Sequence, residues 1–284
     1  MKPEHVQVAA TLRRMREEAG VTREEAASVL GCTKSKIGDL EIGRSKPKPA
    51  ELERLLDHYG ITGSERDEMV EFARSSRTRR KPSPYTAAVI PTAIRRAIDL
   101  EAQAISTVYY SSDLIPGLLQ IPTYARALLE SRWKGQPEDI ETRLQLRMER
   151  ASVLTRTHRP RLRFWCILGE AALLTNIGGP KVMREQIEHL VQINSSLNNV
   201  VIQILPIGSG PHTFMGITVT LHRFPPPAPD LLVFEGYERE MVRDSPAEIE
   251  NVSHFLNLLR ARALGKEDST LQLQAVHLRL PERD

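Results

Sequence analysis

The sequence predicts an α+β protein: an N-terminal five-helix helix-turn-helix domain, then a mixed α/β domain with one small sheet covered by helices. Three observations predict it. Five short helical patterns, with start and stop residues between them, fill the first 77 positions. Strand-like and helical patterns alternate from residue 91 onward, as they do in mixed domains. Between the two, the basic cluster Arg74, Arg77, Arg79, Arg80 and Lys81 runs into Pro82-Ser83-Pro84 and sets a linker over 78–90. That cluster reads as a solvated linker, and alternatively as a tail that touches phosphates.

Composition excludes several classes. The chain has 284 residues, 40% hydrophobic and 26% charged, ordinary values for a globular protein of one or two domains. No run of ~18 apolar residues exists, so no transmembrane helix is expected. Charges scattered through the first twenty positions leave no signal-peptide core. Cys32 and Cys166, far apart, argue against a disulfide scaffold or a structural zinc site and fit a reducing cytoplasm. The formal charge of +3 falls wholly within residues 1–84, and the remainder balances.

In the first domain, Val8, Leu12, Met15 and Ala19 keep helical spacing, and Gly20 ends that helix. Thr22-Arg23-Glu24-Glu25 is a capping box for a second helix, which turns Ala26, Ala27 and Leu30 inward and stops at Gly31. Thr33 caps a third, Lys34 to Glu41, closed by Gly43. A fourth helix spans about 48–58, and a fifth about 64–76 with Ser64 as its cap. Two short helices joined by a tight glycine turn form the helix-turn-helix unit, whose second helix enters the major groove of DNA. Ala27 has to be small because the third helix crosses close to it, and Ile37 fills the gap between the pair.

Leu12 to Tyr59, above all T-R-E-E-A-A-S-V-L-G-C-T-K-S-K-I-G-D-L-E-I-G-R, resembles the helix-turn-helix domain of the phage-repressor-like (Cro/C1, or XRE) regulators. The resemblance implies contacts to base edges and phosphates from Thr33, Lys34, Ser35 and Lys36, with Asp39 one turn on. It also implies a phosphate role for Arg23, where the family often has Gln, and for Arg44 in the Glu-x-Gly-Arg ending. Glu41 in that ending reads as a structural cap or ion-pair member. Without the resemblance, Lys34 and Lys36 read equally as a solvated helix face.

The second domain reads as a helix from Pro91 to Val108, with Ile94, Ile98, Ala102 and Ile105 on one face. Thr107–Tyr110 reads as a short strand or an extended exit. Helices follow from Pro122, from Pro137 to about Thr155, over Glu170–Leu174 and from Pro180. Strands are expected at 161–168, 199–206, 217–224 and 231–235, and closing helices at Pro246 to about Leu264 and Ser269–Leu278. The strings Pro116-Gly117-Leu118-Leu119-Gln120, Tyr124-Ala125-Arg126, Gly169-Glu170-Ala171 and Phe234-Glu235 resemble actinobacterial regulators of the WhiJ type. Tyr85 stands where those regulators often carry a Trp pair. That resemblance implies a transcriptional regulator of development or secondary metabolism, often encoded beside a small, BldB-like partner in an antitoxin-like arrangement.

No G-x-S-x-G elbow, P-loop, G-x-G-x-x-G or H-E-x-x-H occurs, so neither an enzyme nor a cofactor is expected. Glu185, Glu188 and His189 share a helix turn and suit a metal, or a solvated face. Glu101, Glu170 and Glu235 interrupt apolar neighbourhoods and call for partners such as Arg126, Arg147 or Arg150. With Gln120, Tyr124 and His212 they either form structural networks or line a ligand or peptide pocket. The expected partners are a double-stranded DNA operator and a second copy of the chain, with a small neighbouring protein or ligand as the signal. The alternative is an antitoxin-like protein that sequesters that small partner and binds DNA for autoregulation.

Overall fold

The structure, a computed structural model, describes residues 3–77, 98, 100–132, 137–157, 161–226, 228–235 and 240–281. The 78–90 linker, including Arg79, Arg80, Lys81 and Tyr85, lies outside them. The chain divides into two compact units, Met1–Pro84 with Phe224–Pro229, and Tyr85–Arg223 with Asp230–Asp284. No helix of the described residues is long and apolar enough to cross a membrane.

The first unit holds α1 (Pro3–Glu18), α2 (Arg23–Leu30), α3 (Lys34–Glu41), α4 (Pro49–His58) and α5 (Gly63–Arg77). Leu12, Met15, Ala26, Ile37, Leu40 and Leu55 form its buried centre, with Leu30 only partly buried against it. α5 starts one residue before Ser64, so Ser64 sits in the first turn rather than at the cap.

The second unit begins in α6, described at 98 and 100–103. There follow β1 (Ser106–Ser111), α7 (Pro122–Arg132), α8 (Pro137–Ala151), β2 (Arg163–Gly169), α9 (Ala171–Leu174), α10 (Pro180–Ser196) and β3 (Val200–Leu205). β4 (Thr218–Arg223), β5 (Leu231–Glu235), β6 (Glu240–Arg243), α11 (Pro246–Arg262) and α12 (Lys266–Arg279) complete it. The sheet order is β3-β2-β1-β4-β5-β6. β1, β2 and β3 run parallel, joined by the helical crossovers that parallel pairing requires. β4, β5 and β6 are antiparallel additions on the other side of β1.

Three expectations are corrected. The helix expected to Val108 has ended by residue 104, and the short strand read at Thr107–Tyr110 is a full central strand, Ser106–Ser111. The Ile105 amide already bonds Arg223, and Thr107 to Tyr110 pair on both edges. Ile98 and Ala102 keep their helical places in α6, and this pairing takes only Ile105 out of the pattern. The last helix starts at Lys266, because the Ser269 hydroxyl is drawn inward to accept the Ile204 amide (2.9 Å). β6 has no counterpart in the expected strands: Glu240-Met241-Val242-Arg243 is an edge strand whose charged ends hide its pattern.

One face of the sheet is apolar. Tyr110, Ile167, Leu221 and Leu232 pack there with Val252 and Leu256 of α11. Where β2 ends, the chain leaving β1 passes so closely that a Cβ on Gly169 would lie 2.9 Å from the Ser112 Cα. Gly169→Ala is therefore expected to destabilise the chain by about 1–3 kcal/mol in urea denaturation. An unchanged midpoint would show that this crossing does not require glycine.

Candidate functional sites

The turn between α2 and α3 is built as its sequence demands. The Thr22 hydroxyl accepts the Glu25 amide (3.2 Å), and Glu25 accepts the Thr22 amide (2.7 Å), closing the capping box. Gly31 stands at φ +64°, where a side chain would be strained. Its amide bonds Ser28 (3.1 Å), and the Cys32 amide bonds Ala27 (2.9 Å), so the last carbonyls of α2 are satisfied. Thr33 then caps α3 by accepting the Lys36 amide (3.3 Å).

α3 is fixed from beneath. Ile37 and Leu40 are buried, and so is the Glu41 carboxylate at the helix end. Glu41 accepts from Arg16 Nε at 2.5 Å and Nη2 at 3.3 Å, and from Arg23 Nε at 2.8 Å. Arg16 also donates to the Val21 carbonyl (2.7 Å). Its guanidinium is held above the usual arginine range, first by the hydrogen bond to Glu41. Glu41 is thus an ion-pair member, one of the two roles its position suggests. Arg23, read from sequence as a phosphate contact, spends its Nε on that carboxylate, while its side chain stays about one-third exposed.

The outer side of α3 carries the remaining expected residues. Thr33, Lys34 and Ser35 are exposed, and Lys36 and Asp39 half-buried. Lys34 pairs with Glu24, and Lys36 Nζ lies 2.6 Å from Glu51. Those hydrogen bonds lower the Glu24 and Glu51 carboxyls and raise the Lys36 ammonium. Arg44, largely exposed, sits 3.7 Å from Asp39. The residue-type reading missed these acidic partners and the exposed Ile42 on the same helix end. The i, i+4 rule sees only neighbours within one helix, and these pairs join different ones.

In the second unit, Glu101, Gln120 and Glu235 line one cavity of about 190 Å³. Its floor is the sheet face opposite α11. Thr107 lies across from His222 and Tyr109 across from Thr220 in the β1–β4 register. Its cover includes Arg147 and Arg150 of α8. Arg150 donates twice to Glu101 (3.0 and 2.7 Å), and Arg147 Nη1 donates to Gln120 (2.8 Å). The Gln120 amide nitrogen donates to the Ile115 carbonyl (2.7 Å). Burial pushes the Arg150 guanidinium down, but Glu101 more than offsets this and the net shift is upward. Burial, then the Glu235 charge, pushes the Tyr109 phenol well above its usual range.

The other expected residues lie elsewhere. Tyr124 is buried and accepts the Ile115 amide (3.4 Å). Arg126 makes an outer ion pair with Glu141. Glu170 accepts the Ile207 amide (2.9 Å) and Gln272 (3.2 Å). His212 Nδ1 accepts the Phe214 amide (3.2 Å), and its ring packs edge-on against Tyr110. Glu185 accepts a 3.4 Å bond from Thr123, and among the described residues no three His, Cys, Asp or Glu side chains group as a metal site.

His222 supplies a pH test. Its Nδ1 lies 2.9 Å from the Thr107 hydroxyl, and burial first, then Arg150, pushes its pKa down to about 3. An unfolded histidine takes up a proton near pH 6.5, which the folded one refuses until about pH 3. Stability is therefore expected to fall as pH drops below 6.5, by about 2 kcal/mol between pH 6.5 and 5. Urea denaturation should show this slope, and His222→Gln should flatten it. An unaltered slope in the variant would mean that the ring is not held neutral.

A family model described as a helix-turn-helix domain matches residues 7–69. A second, described as a domain of unknown function (DUF5753), matches residues 94–274. Neither the curated proteins nor the solved structures hold a match to the chain. The second match spans well over half of the sequence, and the chain belongs to the DUF5753 family, with a helix-turn-helix domain at its N-terminal end.

Proposed function

We propose that this chain is a sequence-specific transcriptional regulator that docks α3 in the major groove of an operator and takes its signal through the second unit. The observation that carries the reading is a capped, exposed α3 N-terminus held at fixed tilt by the buried Glu41 network, in a segment matched by a helix-turn-helix family. Thr33 and the first α3 amides suit a phosphate oxygen, since helix N-termini attract anions. Lys34, Lys36 and Arg44 supply phosphate contacts, and Ser35 and Asp39 face base edges.

Binding exchanges partners. Phosphates replace Glu24 on Lys34 and Glu51 on Lys36, so affinity depends on how the duplex outcompetes two carboxylates. One head buries little DNA surface, and a homodimer with heads one helical turn apart supplies the specificity. The signal, a protein or small ligand, acts by favouring one dimer geometry over another. The resemblance to WhiJ-type regulators supports control of development or secondary metabolism as the biological setting.

A titration against duplexes from upstream of its own gene tests the reading. Lys34→Ala and Lys36→Ala are each expected to weaken binding across sequences and to lower the slope of log affinity against log salt by about one. Ser35→Ala and Asp39→Ala are expected to relax base preference at single positions instead. If both lysine variants bound like the parent at two salt concentrations, α3 would not be the reading helix.

A further inference from the structure

A sheet face covered by helices is ordinarily apolar, because a buried polar group without a partner costs free energy. The face beneath α8 departs from this. Thr107 and Tyr109 alternate on β1, and Thr220 and His222 stand opposite them on β4. Thr107, Thr220 and His222 are all at most 5% exposed. A well-packed apolar filling would be at least as stable as the Glu101–Arg150 pair that closes the cavity. Such a concentration of buried ionisable groups around a void points to binding.

The lining describes its occupant. Two arginines, Arg147 and Arg150, are balanced by two carboxylates, Glu101 and Glu235. The walls therefore carry no net charge with which to neutralise a charged guest. Hydroxyls on the floor and the Arg147–Gln120 bond at the wall offer both donors and acceptors. Leu100, Phe164 and Val233 provide an apolar side. At about 190 Å³ the space falls below the roughly 300–1,000 Å³ of drug-sized sites, so the guest is compact.

We propose that this cavity binds a small, net-neutral molecule that carries hydrogen-bond donors and acceptors on a compact body, of the size of a free nucleobase or a neutral amino acid. It rests on the reading that the second unit receives a signal, and names that signal's chemistry. The walls come from α6, β1, the 114–120 segment, α7, α8, β2, β4 and β5. Occupancy thus ties α8 to the sheet.

Thermal unfolding of the full chain tests this with adenine, uracil, L-leucine and L-tyrosine as neutral probes. Glutarate, spermidine and inorganic phosphate are the charged controls. At least one neutral probe is expected to raise the Tm by roughly 5 °C at a hundredfold excess over its Kd. Whether a base or an amino acid does so distinguishes the two sources. Gly117 lines the cavity, and a Cβ there meets nothing within 4 Å. Gly117→Phe is expected to abolish the shift, and Thr107→Val, which removes one floor hydroxyl, to weaken binding about tenfold. The proposal is overturned if no neutral probe shifts the Tm, if only charged controls do, or if both variants keep the parent's shift. DNA titration without probe runs in parallel: intact DNA binding without any shift sinks the cavity alone, and a shift without DNA binding sinks the regulator reading.

Discussion

A single buried carboxylate organises the first unit. Glu41 ends α3 and is sealed from solvent, so it has to be met by positive donors, and it is met by Arg16 from α1 and Arg23 from α2. Removing one partner of such a pair typically costs 3–5 kcal/mol, far more than an exposed ion pair returns. Three helices are therefore tied at one point, directly behind the exposed side of α3. The tilt of α3 becomes a property of the core, and its exposed residues can specialise in recognition without also holding the helix in place.

The surface charges work on a different scale. Lys34 and Lys36 face carboxylates across helix boundaries and stay partly exposed, so each pair is screened and exchangeable. A polyanion with regular phosphate spacing can replace both carboxylates together. The second unit repeats the contrast within one sheet: an apolar face packed by α11 supplies stability, and a polar face under α8 encloses a cavity.

Local signals made much of this legible. Thr22 with Glu25, Gly31 and Thr33 mark helix ends within a few residues, and the structure puts them where those rules say. Pro122, Pro137, Pro180 and Pro246 mark helix starts for the same reason. What depended on distant pairing was not legible. The start of β1 and its central place in the sheet were hidden because its neighbours β2 and β4 lie more than fifty residues away. Arg23 lies eighteen residues from the carboxylate that engages it. Thr107, His222 and Glu235 meet through sheet register, and Glu101 and Gln120 join them only through the tertiary fold, whereas Glu170, Arg126 and His212 satisfy other groups instead. Interrupted apolar patterns reveal that a carboxylate needs a partner, but not which one.

The central claim is that α3 enters the major groove, and guanine N7 lies on that groove's floor. Methylation protection at N7, on a duplex selected by the full chain from a random pool, measures this most directly. Two protected patches about one helical turn apart, with adenine N3 in the minor groove unprotected, are the outcome expected of the proposed homodimer. Protection confined to the minor groove, or none at N7 under saturating protein, would contradict it.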